Sequence, residues 1–150
     1  MSHIEVLVEY QLFPLEFRTR TLAVLGRTLG DIAPVVTLDD VKVLLLICIF
    51  NGGIWGWAAE RKWDSDAVVA AIEDSAECEY ILKYVRNVTF VADLMADSYP
   101  ELVEYYIDVK GKSAKSAKYS VMSAVFEDME HDVLRVMVWR GMQMASLQGS

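Results

Sequence analysis

Apolar positions along this chain recur mostly at helical spacing. Ile4, Leu7, Val8 and Leu12 fall three or four apart with Glu5 and Glu9 between them, which predicts a helix over Ile4–Leu12. Alternation through Ile4, Val6 and Val8 is the competing strand pattern. Phe13-Pro14 ends the element, because the residue before a proline avoids helical angles. Leu15, Leu22, Leu25, Leu29 and Ile32 form the next stripe, with Arg18, Arg20 and Arg27 largely off it. That spacing predicts a second helix over Leu15–Ile32, stopped by Ala33-Pro34.

The stretch Val36–Trp63 organises the rest. Thr37-Leu38-Asp39-Asp40 reads as a capping box with aspartate at the third position, where its charge also suits the helix dipole. Val41 to Phe50 is apolar almost all round, which predicts a central helix. Asn51-Gly52-Gly53 is a stop built from residues that tolerate positive φ. A further helix is expected over Trp55–Lys62, and Asp64-Ser65-Asp66 caps the one after it.

Ala67–Ile72 and then Cys78–Met95 read as helical, either as two segments or as one kinked helix, with Tyr80, Ile81, Tyr84, Val88, Val91 and Leu94 on the buried face. Ser98-Tyr99-Pro100-Glu101 starts a short helix with proline at its first position, carrying Leu102, Val103, Tyr105, Tyr106 and Ile107. A long last helix is expected over Ser116–Leu147, with Val121, Val125, Met129, Val133, Met137 and Met144 as its stripe. No internal repeat or change of composition divides the chain. The expected fold class is therefore all-α: a single-domain bundle, residues 1–150, of seven to eight helices around a central apolar helix.

Composition sharpens this picture in three places. With 54% hydrophobic and 24% charged residues, the chain has ample material for a packed core and does not read as disordered. A net charge of −8 argues against nucleic acid as a partner, since phosphates are neutralised by a clustered basic face. The one basic cluster, Lys110, Lys112, Lys115 and Lys118, lies in a Gly/Ser/Ala setting and reads as solvated loop and helix start, with anionic lipid as the competing partner. Two cysteines, Cys48 and Cys78, are too few for a disulfide framework and read as reduced thiols. Asn87-Val88-Thr89 fits a glycosylation sequon, which matters only in a secreted chain.

Residues 43–59 carry no charge, a run just below spanning length. Asn51-Gly52-Gly53 interrupts it where lipid would penalise broken backbone pairing, so a buried helical hairpin is expected and no integral membrane anchor.

Four segments in order resemble the homology motifs of the Bcl-2 family of apoptosis regulators. Asp39-Asp40-Val41-Lys42, followed by Ile49-Phe50-Asn51-Gly52-Gly53-Ile54-Trp55-Gly56-Trp57, resembles the first motif, in which a helix ending in Phe leads through a glycine turn to Asn-Trp-Gly-Arg. Leu22-Ala23-Val24-Leu25-Gly26-Arg27-Thr28-Leu29-Gly30-Asp31 is similar to the third, with its Gly-Asp pair, although Gly26 stands where the family has its most characteristic leucine. Tyr99-Pro100-Glu101-Leu102-Val103-Glu104-Tyr105-Tyr106 resembles the second. Ile4 to Tyr10 is similar to the fourth only as an amphipathic helix. Arg135 and Arg140 interrupt the final apolar stretch, so no anchor is expected there. The chain's compactness is similar to that of viral members of the family.

The resemblance implies binding rather than catalysis: an anti-apoptotic protein that sequesters the amphipathic death-motif helix of a pro-apoptotic partner, Bim-type above all, in a hydrophobic groove. It implies groove walls from Leu25 and Leu29, from Leu44 and Cys48, and from the turn itself. Gly56 would let the ligand helix approach closely, Trp57 and Arg61 would face its polar side, and Tyr106 would close one end. Trp57 occupies the place of the family's arginine, so the usual ion pair to the ligand is lost unless Arg61 supplies it. The implied setting is the cytoplasm, peripheral to mitochondria, of an infected host cell.

Each of these residues also has a plainer reading as core or packing, and two other function classes compete. Asp128 and His131 stand three apart, a spacing used in helical metal sites, but a bundle site needs a second such pair and the remaining histidine is His3. No cofactor or metal is therefore expected, and charged helix surface is the better account of that segment. The other class is a viral or phage scaffold that only oligomerises, and a homodimer is a partner open beside the pro-apoptotic ligands.

Overall fold

The computed structural model describes residues 3–50, 53–129 and 141. Among these there are eight α-helices and no strand: α1 (Glu5–Leu12), α2 (Pro14–Leu29), α3 (Leu38–Ile49), α4 (Ile54–Glu60), α5 (Ser65–Asp74), α6 (Glu79–Ser98), α7 (Pro100–Asp108) and α8 over 114–129. The chain is an all-helical bundle.

Local chemistry sets most of the boundaries. Pro14 and Pro100 occupy the first positions of α2 and α7, where a missing N–H costs nothing. At Thr37 the capping box is closed: its hydroxyl accepts the Asp40 N–H at 3.2 Å while its own N–H reaches Asp40 Oδ2 at 2.9 Å. Asp64 caps α5 by accepting the Ala67 N–H at 3.2 Å. The expected helix through Ile32 stops earlier, at Leu29. Gly30 follows at φ +48°, a conformation in the left-handed range, and the chain tightens into a 3₁₀ turn over Gly30–Ile32.

Of the two arrangements open for Ala67–Met95, the chain adopts separate helices. Ser75 leaves the helix with extended angles, and a 3₁₀ turn over Ala76–Cys78 leads into α6. The break lets α5 and α6 pack on each other rather than run on in line.

The core gathers Phe17, Val24, Leu25 and Leu29 of α2, Val41, Leu44, Leu45 and Cys48 of α3, Val68 and Ile72 of α5, and Ile81, Tyr84 and Val88 of α6. The position that spans the bundle belongs to α6. Its twenty residues reach roughly 30 Å, and it packs against α1, α3, α5 and α7. The apolar α3 instead contributes one wall. It buries a single face, while Leu46 and, just beyond the helix, Phe50 point outward. Leu94, expected on the buried face of α6, is exposed because the stripe through Tyr80, Tyr84, Asn87, Val88 and Ala92 turns away from it.

Two buried polar groups are satisfied by side chains. Thr21 Oγ1 donates to the Phe17 carbonyl at 2.7 Å and accepts from Tyr80 Oη at 2.9 Å. Asn87 on α6 has its amide oxygen on the N–H groups of Val6 and Leu7, at 3.0 and 3.2 Å. These are first-turn donors of α1, which has no cap of its own, so Asn87 caps α1 from another helix. The asparagine of the sequon is thereby turned into the core rather than offered at the surface.

Candidate functional site

Of the residues to which the resemblance assigned a ligand groove, Leu25, Leu29, Leu44, Cys48 and Trp57 all lie in the hydrophobic core, none more than 3% exposed. Their side chains pack against one another and the rest of the core rather than lining an opening. Burial also pushes the Cys48 thiol up to about 12, which keeps it protonated and unreactive at neutral pH.

Trp57 turns inward, not toward a ligand. It lies in the first turn and a half of α4, and its indole N–H donates to the Asp40 carbonyl at 2.8 Å. The ring of Trp63 meets it edge-on at 5.2 Å. Arg61, one turn on, lies with its guanidinium 5.4 Å from the Trp57 ring and its Nε donating to Asp40 Oδ1 at 2.7 Å. Arg61 is thus already engaged within the chain.

Asp40 is the hub of this arrangement, serving the α3 cap, the Trp57 indole and the Arg61 guanidinium at once. Burial works against its charge, but the Thr37 N–H and Arg61 outweigh that and bring its pKa below the ordinary carboxylate value. The unit Asp40–Trp57–Arg61 ties the start of α3 to α4; residues 51 and 52 between these helices, including the matched Gly52, lie outside the described region.

Gly56 is half-buried in α4, and a Cβ built there meets nothing within 4 Å. The chain itself therefore makes no close approach at this position. Tyr106 lies away from the group, on α7, with Tyr105 edge-on at 5.5 Å and the Lys112 ammonium 5.9 Å from its ring.

An open apolar feature lies elsewhere. A groove of about 540 Å³ runs between α1, the end of α3, α6 and α8, lined by Leu7, Gln11, Ile49, Val88, Met122, Phe126 and Met129. Gln11 is its one polar wall residue. On the other side of Met129 a second depression of about 860 Å³ is lined in part by Tyr99, Leu102, Tyr105 and Val125. Sequence reading missed both, although the signal was present: Met122, Phe126 and Met129 stand at i, i+4 and i+7 of one helix. The stripe expected for this helix ran through Val121, Val125 and Met129 instead, so Met122 and Phe126 were not singled out.

Asp128 lines the second depression, whereas His131 lies outside the described residues, as do Val133, Met137 and Met144 of the expected last stripe. Among the described residues no three His, Cys, Asp or Glu side chains converge as a metal site, and no helix is long and apolar enough to cross a membrane. Comparison with protein-family models, with curated proteins and with solved structures gives no match to this chain.

Proposed function

We propose that this protein is a helix-binding module that captures an amphipathic helix in the groove between α1 and α8. The observation that carries the reading is that groove itself, whose wall is apolar except for Gln11. Phe126 and Met129, both exposed, supply aromatic and flexible surface of the kind that accepts the i, i+3, i+4 and i+7 anchors of a docked helix, over a floor of buried Val88 and Met122. The chain's net charge of −8 favours a ligand whose polar face is basic, through steering of the encounter.

The resemblance to the Bcl-2 family adds the ligand class: the death-motif helix of a pro-apoptotic protein, whose sequestration would favour cell survival. The groove used differs from the one the motifs imply, since Leu25, Leu29, Leu44 and Cys48 are committed to the core.

Fluorescence anisotropy with a labelled Bim-type peptide tests the reading. Sub-micromolar binding, lost in Phe126→Glu and in Met129→Glu, both at exposed positions, but retained in Leu46→Glu on the outer face of α3, is the expected result. A panel of death-motif peptides that all fail to bind would overturn the ligand class. Binding that Phe126→Glu leaves untouched would overturn the groove.

A second reading has one observation in its favour. Helix α7 buries no residue completely, and Tyr99, Tyr105, Ile107 and Val109 in and around it are all exposed. Such a face suits self-association, and a homodimer in sedimentation velocity, dispersed by Tyr105→Glu, would support the scaffold class instead.

A further inference from the structure

On the side of α8 away from the apolar groove lies a polar cavity of about 400 Å³, and its chemistry is of a different kind. Helix α8 presents Ser116, Ser120, Ser123 and Glu127 to it, at i, i+4, i+7 and i+11, one continuous polar face. Phe50 and Tyr106 form aromatic walls, and Lys112 closes one end.

The lysine is held in place. Gly111 takes φ +68°, which turns the chain back over α7 so that the Lys112 N–H meets the Tyr106 carbonyl at 3.0 Å. Its ammonium then donates to Ser120 Oγ at 2.9 Å, beside the Tyr106 ring. Among the described residues it pairs with no carboxylate, whereas Lys118 nearby is matched by Asp93 at 2.8 Å. Ser120 passes its own proton to the Ser116 carbonyl at 3.2 Å. One turn further, Ser123 Oγ is buried and is the one such side-chain atom among the described residues with no protein partner. A buried hydroxyl in that state is costly, and Ser123 is one of the residues that line the cavity.

The two ends carry opposite charge. Lys112 stands beside Ser120 and Glu127 lies seven residues further along the same helix, roughly 10 Å by the helical rise. A ligand that satisfies both ends carries an anion and a cation joined by a short spacer. The aromatic walls favour an ammonium, which is drawn to ring faces as well as to a carboxylate. We infer that this cavity binds a phosphorylated amino alcohol: the phosphate oxygens accept from Lys112 Nζ beside Tyr106 and from Ser123 Oγ once its side chain turns toward the cavity, and the ammonium lies toward Phe50 and Glu127. The site is independent of the helix-binding groove and does not rest on that reading.

Titration of the full chain with phosphocholine and with phosphoethanolamine, followed by amide NMR shifts, tests the inference. Saturable binding is expected, with shifts centred on residues 106, 112, 120 and 123. Inorganic phosphate and choline, each offering half of the ligand, bind at least tenfold more weakly. Lys112→Met and Glu127→Gln each weaken phosphocholine binding at least fivefold while the thermal midpoint stays close to that of the parent. Ser123→Ala is the sharper variant: it removes a buried unpartnered hydroxyl, so it leaves the fold as stable or more so and still weakens binding several-fold. Flotation with phosphatidylcholine vesicles separates the sources, since co-flotation assigns the ligand as a lipid headgroup and soluble binding without flotation assigns the free ester. No saturable shift with either zwitterion, or binding unchanged in both Lys112→Met and Glu127→Gln, overturns the proposal.

Discussion

Arg61 donates from Nε to Asp40 Oδ1 at 2.7 Å, and both side chains are more than four-fifths shielded from solvent. The pair joins α3 to the end of α4, and it does so beside the indole of Trp57, which bonds the carbonyl of the same aspartate. A surface ion pair contributes little, but a shielded one that also completes a helix cap leaves several donors stranded when it is broken. Asp40→Ala is expected to destabilise the protein by about 2–4 kcal/mol, and Arg61→Met by about 1–2 kcal/mol because Met keeps much of the packing. Urea unfolding of the two single variants and the double variant measures this, and strictly additive losses would show that the pair is not coupled.

Asp40 also gives the protein an acid-sensitive contribution. Its folded pKa is lowered, so the stabilisation is present above the unfolded carboxylate value of about 3.9 and is lost as pH falls through the lower folded value. The urea midpoint of the parent should therefore fall more steeply below about pH 4 than that of Asp40→Asn. Parallel profiles would remove Asp40 from the acid transition.

Asn87→Ala should cost about 1–2 kcal/mol, since it strands the Val6 and Leu7 amides at the start of α1. Hydrogen exchange is the discriminating readout. Protection should fall first over residues 6–9, whereas a general loss of packing would lower it throughout α6 as well.

The buried motif residues and the exposed groove residue Phe126 should behave oppositely. Leu25→Ala and Leu44→Ala, both fully buried, are expected to cost about 2–5 kcal/mol. Phe126→Ser, at a position 37% exposed, should cost less than about 1.5 kcal/mol, and thermal melts rank the three directly. Leu29→Glu should unfold the chain, because its charge would have no partner in the core.

Cys48 and Cys78 are both buried, and burial raises the Cys48 thiol to about 12. Neither should react with a disulfide reagent in the native protein at pH 7–8, and both should react once urea unfolds it. Rapid labelling of the folded protein would show that the core opens locally around α3.

The helices were legible where local chemistry decides. The stripe through Leu22, Leu25 and Leu29, the Thr37–Asp40 capping box, the Asp64 cap and the two N-terminal prolines each act within a few residues, so the sequence carries their physics whole. The all-helical class followed from the same periodicity, as did the burial of Leu25, Leu29, Leu44 and Cys48, which are apolar on any reading. What periodicity lacks is direction: it marks which face is apolar, not what covers that face. Tertiary packing alone decided that α6 rather than α3 spans the bundle, that Trp57 turns inward onto Asp40, and that Asn87 caps a helix eighty residues earlier in the chain. It also decided that Phe126 and Met129 stand open at a groove whose floor, Val88 and Met122, is sealed. Each of those outcomes depends on contacts between residues far apart in sequence, whose energies are set by geometry that no local pattern encodes.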